Sequence, residues 1–315
     1  MKNHFQKFEY EVKNGEVIIN SCFSVGSVAE IPEEIEGYPV VEIAPYAFAW
    51  DVAKLNFATS PIEVCPVPKL NGERLEEIII PKTVKRIGRY AFYNCKNLRR
   101  IEFYNTLTDL GAGAFTGCHK VREIKVSFIA NKKSILREFL VDLPEEQMVE
   151  LCYEDGCATV LFPEFFEESI ENTPARNLEV FTHGSGMMYR NCFVRKELDF
   201  VLYDERFEWA KGKEFEETVF LLAFQRLYYP YQLAEKFAYK YKMYLKENLQ
   251  ECALWAVEND FENVIFYLAD NCVEKAEELD TLIAAVNEKS NVELLSYLMN
   301  EKHKKFKTRR KSFEL

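Results

Sequence analysis

The chain has 315 residues, of which 48% are hydrophobic and 29% charged, a composition typical of a folded protein and not of a disordered one. Its formal net charge of −11 argues against general nucleic-acid binding, because contact with phosphates needs a basic surface. No stretch approaches about 18 uninterrupted apolar residues, and residues 1–20 are charged throughout without an apolar core. We therefore expect a cytoplasmic protein without a membrane partner.

Residues 1–30 are predicted to cap a repeat region that is clear over residues 31–126. Two adjacent copies, 23 residues apart, read IPKTVKRIGRYAFYNCKNLRRIEF (80–103) and FYNTLTDLGAGAFTGCHKVREIKV (103–126). An earlier copy reads IPEEIEGYPVVEIAPYAF (31–48). A repeat of this length with apolar residues in register is typical of a solenoid, in which each unit stacks on the next.

These copies resemble the BspA-like bacterial leucine-rich-repeat family, whose unit reads roughly I-P-x-x-V-x-x-I-G-x-x-A-F-x-x-C-x-x-L-x-x-I-x-I. The earlier copy carries the longer I-E-G-Y-P-V opening often seen in first repeats of such proteins. It departs from the pattern in having Ala44 where the later copies have Gly88 and Gly111, and Asp51 where they have Cys. The resemblance implies an α/β leucine-rich-repeat solenoid with a parallel sheet.

The L-x-x-I-x-I end of each copy alternates apolar and polar positions, which predicts a short, half-buried strand. Two buried ladders are expected, the first of Ile78, Ile101 and Ile124 and the second of Ile80, Phe103 and Val126. Phe92 and Phe115 are predicted to fill the core beneath the sheet. Gly88 and Gly111 are predicted to permit a tight turn or a positive φ angle.

The residues between the ladders are predicted to face outward in two rows. One row holds Glu77, Arg100 and Glu123, and the other holds Ile79, Glu102 and Lys125. One interpretation is a solvated face with weak cross-strand ion pairs. The other is a protein-binding face, which the resemblance implies for leucine-rich-repeat sheets. We take these six residues as the candidate contact site of a non-catalytic scaffold or adaptor.

Nine cysteines are present, and we interpret all of them as reduced thiols. Cys95 and Cys118 occupy equivalent repeat positions, where a small thiol serves packing. Cys152 and Cys157 are five apart, without a His or a further Cys at a spacing that would complete a zinc site. We expect neither a metal nor a cofactor.

Over residues 127–210 the repeat blurs, and we interpret this region as degenerate coils with insertions. MVELCY (148–153) fits the strand template, and LFP (161–163) resembles the Ile80–Pro81 junction. YRNC (189–192) aligns with FYNC (92–95), followed by Leu198 and Phe200 in the strand positions. Residues 129–143 and 163–173 are predicted to form short helices.

The same region contains the best candidate for chemistry, THGSGMMYRNC (182–192). His183, Ser185 and Cys192 lie close in sequence and define the alternative function, a small-molecule binder or hydrolase. The segment is not a G-x-S-x-G nucleophile elbow, and no oriented base is evident. The other interpretation is a tight connection between coils. On this balance we expect no enzyme.

Residues 211–301 have helix-spaced apolar residues. FEETVFLLAFQRLYYP is predicted to end as a helix before Pro230, and Leu233, Phe237, Tyr241 and Tyr244 define a second, amphipathic helix. ECALWAVENDFENVIFYLADN and LIAAVNEKSNVELLSYLMNE then look alike, and their second halves superpose with a shift of 31. Each resembles the paired helices of an ankyrin repeat, without its T-P-L-H opening. The alternative is a plain helical cap on the solenoid.

Residues 302–315 form a basic tail with seven Lys or Arg between Lys302 and Lys311. Contact with RNA, lipid or the protein's own acidic surface is one interpretation of this tail. The default is a solvated, partly frayed terminus. The overall prediction is a protein-interaction module whose partner the sequence does not identify.

Overall fold

The computed structural model describes residues 6–50, 67–172, 177–289 and 291–306. The chain divides into two compact units, Met1–Lys213 and Glu214–Leu315. The first is a β-solenoid of about five turns with a parallel sheet, and the second is helical. This confirms the predicted fold class. Asp51 and Cys65 lie outside the described residues.

In the described residues the solenoid strands are interrupted by a short 3-10 helix (Gly72–Arg74) and by one α-helix. They are β1 (Gln6–Lys13), β2 (Glu16–Ser24), β3 (Val28–Glu30), β4 (Glu34–Ile35), β5 (Tyr38–Ile43), β6 (Glu77–Ile79), β7 (Arg86–Ile87), β8 (Arg100–Tyr104), β9 (Asp109–Leu110), β10 (Glu123–Ser127), β11 (Gln147–Tyr153) and β12 (Gly156–Phe162). Helix α1 (Leu136–Asp142) precedes β11. This confirms a helix within the predicted segment 129–143.

The main sheet has the order β12-β11-β10-β8-β6-β3. Strands β3, β6, β8, β10 and β11 pair in parallel, and Ile101 is in register with Ile78 on one side and Ile124 on the other. Both predicted ladders are buried, with exposures of 0–2%. The repeat register inferred from the 23-residue step is therefore confirmed.

A second sheet, which the sequence analysis did not predict, runs along the other side of the coils. Its order is β1-β2-β5-β7-β9, and β4 pairs with β5. Strands β7 and β9 are only two residues long and come from the V-x-x-I-G part of the repeat. A two-residue strand shows no alternation of apolar and polar positions, so the pattern gave no signal.

The core holds a column of phenylalanine rings, one from each coil. The Phe92 ring centroid lies 5.2 Å from that of Phe48 and 5.0 Å from that of Phe115, with all three side chains buried. The Cys95 and Cys118 thiols donate to the Phe48 and Phe92 carbonyl oxygens at 3.2 and 3.1 Å. The repeated cysteine therefore packs in the core and also ties each coil to its neighbour.

Gly88 and Gly111 are required for a different reason from the one predicted, because neither adopts a positive φ angle. A Cβ atom on Gly111 would lie 2.3 Å from the Arg89 backbone nitrogen, and one on Gly88 would lie 2.3 Å from the Pro45 nitrogen. The glycines let adjacent coils approach each other. The positive-φ alternative was wrong, but each glycine does begin a turn, since the Ala91 and Ala114 amides donate to the Gly88 and Gly111 carbonyl oxygens at 3.3 and 3.1 Å.

Replacing Gly111 with alanine should therefore lower the free energy of unfolding by about 1–3 kcal/mol, because backbone atoms must move to admit the methyl group. Gly212→Ala is the matched control, since its Cβ would have its nearest such contact at 3.8 Å. We expect the control to change stability by less than about 0.5 kcal/mol. Urea unfolding followed by circular dichroism measures both, and equal midpoints would contradict the stacking argument.

The repeats end earlier than predicted. MVELCY does form the parallel strand β11, but β12 returns antiparallel to it and closes the sheet. The remaining elements of this unit are β13 (Phe166–Asn172), β14 (Asn177–His183), α2 (Gly186–Arg190), β15 (Phe193–Val194), β16 (Glu197–Leu198), α3 (Phe200–Glu205) and α4 (Phe207–Ala210).

Two predictions for this region were wrong. The predicted helix at 163–173 is instead β13, which pairs with β14 in a separate antiparallel hairpin. Residues 189–200 form no further coil, since β15 and β16 pair only with each other and α3 begins at Phe200. The match of YRNC to FYNC was too short to carry the framework of a coil, which needs the whole 23-residue set of buried positions.

The second unit contains six described helices: α5 (Glu216–Tyr228), α6 (Glu235–Glu247), α7 (Leu249–Glu258), α8 (Glu262–Asn271), α9 (Ala276–Glu288) and α10 (Val292–Lys305). Lys289 Nζ donates to the Glu258 carbonyl oxygen at 2.8 Å, and Asn291 Nδ2 to Glu262 Oε1 at 2.8 Å. The turn between α9 and α10 thus contacts the turn between α7 and α8. The relationship to ankyrin repeats stays a prediction.

Helix α10 includes the first residues of the predicted basic tail. Lys302 pairs with Asp280, and Lys305 Nζ donates to the Ala269 carbonyl oxygen at 2.7 Å. These residues are therefore anchored rather than frayed, and residues 307–315 lie outside the described ranges. None of the described helices is both long enough and apolar enough to span a membrane.

Candidate protein-interaction surface

The outward side chains of the main sheet form one continuous surface, which we call the charged face. Its members are Glu30, Glu77, Ile79, Arg100, Glu102, Glu123, Lys125 and Glu150. Glu77, Arg100 and Glu123 are register partners, as are Glu30, Ile79, Glu102, Lys125 and Glu150. Neighbouring strands lie about 4.8 Å apart, which sets the spacing of the charges along each row.

Arg100 is the centre of the charged face. Its guanidinium lies 3.4 Å from Glu77 Oε1, 2.8 Å from Glu102 Oε1 and 2.7 Å from Glu123 Oε2. Lys125 Nζ lies 3.8 Å from Glu150 Oε1. The cross-strand ion pairs expected from the alternating rows are therefore present, and they hold the Arg100 side chain in place.

The carboxylates outnumber the cations on the charged face by five to two. Partial burial raises the pKa of Glu77, an effect that Arg100 opposes and that Glu102 and Glu123 increase. Partial burial lowers the pKa of Arg100, but hydrogen bonds and negative charge from Glu102 and Glu123 outweigh it and raise the pKa. The neighbouring carboxylates Glu102 and Glu123 thus contribute to both shifts, and the excess of negative charge on this face would attract a cationic ligand.

All six predicted contact residues lie on this face. Sequence reasoning missed Glu30 and Glu150, which extend the second row at its two ends. The signal for Glu150 was available, because it occupies the outward position of the MVELCY strand. Glu30 precedes the first recognised copy, and the three-residue strand that carries it shows no repeat pattern.

The alternative site is not assembled. His183 lies on β14, where its ring stacks on Phe166 at 4.4 Å and its Nε2 lies 3.1 Å from Glu168 Oε2. Ser185 is fully buried. The buried Cys192 donates from Sγ to the Met188 carbonyl oxygen at 3.4 Å. These three side chains occupy different surroundings.

The electrostatics of Cys192 also disfavour nucleophilic chemistry. Burial raises the pKa of its thiol to about 11, whereas a nucleophilic cysteine needs a lowered pKa. A shallow cavity of about 210 Å³ lies elsewhere, between the loop after β10 and the β11–β12 turn, and Phe128 and Tyr153 contribute to its lining. Within the described part of the chain, no cluster of His, Cys, Asp or Glu is arranged to hold a metal.

Residues 70–139 match the family model described as BspA type Leucine rich repeat region (6 copies). No curated protein sequence matches the chain. The matched family is one of repeat proteins and not a catalytic one.

Three solved structures of leucine-rich-repeat proteins are similar to part of the chain. A leucine rich cell surface protein of Faecalibacterium prausnitzii A2-165 is 15% identical over 49% of this chain and 44% of its own, with a TM-score of 0.25. The T. pallidum leucine rich repeat protein is 18% identical over 47% of this chain and 80% of its own, with a TM-score of 0.24. A leucine-rich repeat protein of Bacteroides ovatus ATCC 8483 is 16% identical over 40% of this chain and 48% of its own, with a TM-score of 0.19. The chain thus spans less than half of the F. prausnitzii structure.

Proposed function

Because the chain carries a BspA-type leucine-rich-repeat region at residues 70–139, we propose that it binds a protein partner through the charged face. Leucine-rich-repeat proteins are generally protein-interaction modules. The partner segment would carry Lys or Arg side chains spaced to meet the carboxylate rows. The chain would then act as a scaffold or adaptor, with the helical unit as a second contact surface or a cap.

The observation that carries this proposal is the five-to-two excess of carboxylates on a regular sheet. Strand pairing and the Arg100 ion pairs fix the positions of several carboxylates before any partner arrives. A preorganised surface loses less side-chain entropy on binding than a flexible one. Charge complementarity would give specificity and a faster association rate, more than a large gain in affinity. The cytoplasmic location stays a prediction.

The partner can be trapped by photo-cross-linking in cells of the source organism. A photoreactive amino acid at Ile79 places the reactive group on the charged face, and one at Asp109 places it on the second sheet as a control. We expect a protein cross-linked from position 79 and not from position 109. Cross-linking from position 109 alone would assign binding to the second sheet instead.

With that partner purified, Glu123→Gln combined with Glu150→Gln should weaken binding about 2- to 30-fold, since each exposed ion pair contributes about 0.2–1 kcal/mol. Their side chains are 58% and 41% exposed, and their loss leaves Arg100 paired with Glu77 and Glu102. Isothermal titration calorimetry at low salt measures the dissociation constants.

The matched control removes the same number of charges from the second sheet, by Glu42→Gln and Asp109→Gln. We expect an unchanged dissociation constant for this control. The proposal would be wrong if the control weakened binding as much as the charged-face variant, because the effect would then come from net charge alone.

A further inference from the structure

Two cysteines lie opposite each other across the last strand pair of the main sheet. Cys152 of β11 is the register partner of Cys157 of β12. The Cys152 carbonyl oxygen accepts a hydrogen bond from the Phe128 amide, on the β10 side, at 2.9 Å. Its backbone polar groups therefore point away from β12, and the two cysteines form a non-hydrogen-bonded pair. In such pairs the Cα atoms are about 4.5 Å apart and the side chains are close.

This geometry fits a disulfide, for which the Cα atoms are usually about 4.4–6.8 Å apart. Cys157 is exposed and Cys152 is partly exposed, whereas the other six cysteines in the described ranges are buried. A small oxidant in solution would reach Cys157 first. Cys152 would then be the neighbour that completes the bond.

The surroundings of Cys152 suit this second role. Its Sγ donates to Glu150 Oε1 at 3.3 Å, so a carboxylate is in place to accept the thiol proton. Burial, the Glu150 carboxylate and the Cys157 thiol raise the pKa of Cys152 to about 12. Cys152 therefore stays a thiol at neutral pH and gives up its proton only when the bond to sulfur forms.

We propose that Cys152 and Cys157 form a reversible oxidation site that takes a hydroperoxide as oxidant and becomes a disulfide. Cys157 gives up its thiol proton and its sulfur attacks the peroxide; an S–O bond forms, the O–O bond breaks, and with hydrogen peroxide the leaving hydroxide takes up a proton, equal to the one that the thiol released, and becomes water. The Cys152 sulfur then attacks the Cys157 sulfenic acid; the S–S bond forms and the S–O bond breaks. The hydroxide and the Cys152 proton leave as a second water, and both sulfurs are oxidised as the peroxide is reduced.

The site lies on the same side of the sheet as the charged face. Cys152 follows the outward position of Glu150 by two residues, and the intervening Leu151 is buried. In the disulfide Cys152 has no S–H to donate, so the Glu150 carboxylate loses that partner. The oxidation chemistry itself does not depend on whether the charged face binds a protein.

The test is peptide mapping of the full chain after treatment with hydrogen peroxide, acid quenching and alkylation in denaturant. Trypsin releases residues 138–176 as one peptide that contains Cys152 and Cys157 and no other cysteine. We expect this peptide to lose two hydrogen atoms in mass and to resist alkylation. Reduction with dithiothreitol should restore two alkylatable thiols.

Single-serine variants separate the two roles. In Cys152→Ser, the sulfenic acid on Cys157 should persist and be trapped by dimedone. In Cys157→Ser, Cys152 should remain alkylatable after the same treatment. If the unsubstituted chain instead gave a dimedone adduct on Cys157 with Cys152 still alkylatable, the pair would not close and the proposal would be overturned.

Discussion

Replacing Arg190 with methionine should lower the free energy of unfolding of the solenoid unit by about 3–5 kcal/mol. The side chain is fully buried and donates to the backbone carbonyl oxygens of Leu140, Leu143, Glu145 and Pro163 at 2.5–2.9 Å. Burial lowers the pKa of Arg190 to about 9, so the guanidinium stays charged at neutral pH. Methionine would fill part of the space but leave these buried carbonyls without their donor.

Arg137→Met is the matched control. Arg137 is exposed and donates to the Arg190 carbonyl oxygen at 3.2 Å and to Asn191 Oδ1 at 3.0 Å, so its loss should cost about 1 kcal/mol or less. Because the chain has two units, hydrogen exchange at Leu140 and Val160 locates the effect better than a global probe. Similar protection in the two variants would show that Arg190 does not hold the end of the solenoid.

Phe92→Ala should destabilise the same unit by a comparable amount, about 3–5 kcal/mol, because it opens a cavity in the middle of the aromatic column. Phe92 is 0% exposed and stacks between Phe48 and Phe115. A ring at this place supports contacts to the coils on both sides. Urea unfolding of the full chain, with hydrogen exchange to assign the change, measures the loss.

Phe92→Leu serves as the control for volume, since it retains most of the apolar side chain. We expect it to cost less than half as much as Phe92→Ala. Wild-type stability in Phe92→Ala would contradict the stacked register of the coils. A loss confined to the helical unit would contradict it as well.

The sequence predicted the register of the coils because every clear copy repeats the same buried contacts. Ile101 must meet Ile78 and Ile124, and a 23-residue step is the spacing that allows it. The same step places Arg100 between Glu77 and Glu123. The centre of the charged face could therefore be predicted from the repeat of the buried residues. Glu30, at one end of that face, did not follow because it lies where the repeat pattern is absent, whereas Glu150, at the other end, could have been read from the MVELCY strand.

The end of the solenoid was not predictable in the same way. Arg190 acts through hydrogen bonds to backbone carbonyls, and backbone acceptors leave no pattern of side-chain types in a sequence. Gly186 allows the chain to pass close to the Pro163 carbonyl oxygen, which Arg190 also contacts, since a Cβ at Gly186 would lie 2.1 Å from that oxygen. The segment considered for catalysis therefore contributes contacts that hold the end of the solenoid together.

The hairpin that brings Cys152 opposite Cys157 was within reach of the sequence, although its register was not. Glu154 and Asp155 connect Tyr153 to its partner Gly156 in a two-residue loop. Asp-Gly between alternating apolar residues is a strong hairpin signal. The usual register of that signal, with Asp155 and Gly156 as the loop residues, would pair Glu154 with Cys157, so the hairpin was predictable but its register was not.

The uniform contacts between coils also bear on how such a chain changes in evolution. The unit from Ile80 to Glu102 meets the coils on either side through the same ladder, ring and thiol contacts. Duplication of this 23-residue unit would lengthen the array by about 4.8 Å. The two ends of the array, the strand β1 and the segment that Arg190 holds, would stay as they are. Copy number can thus set the reach of the charged face independently of the stability of its ends.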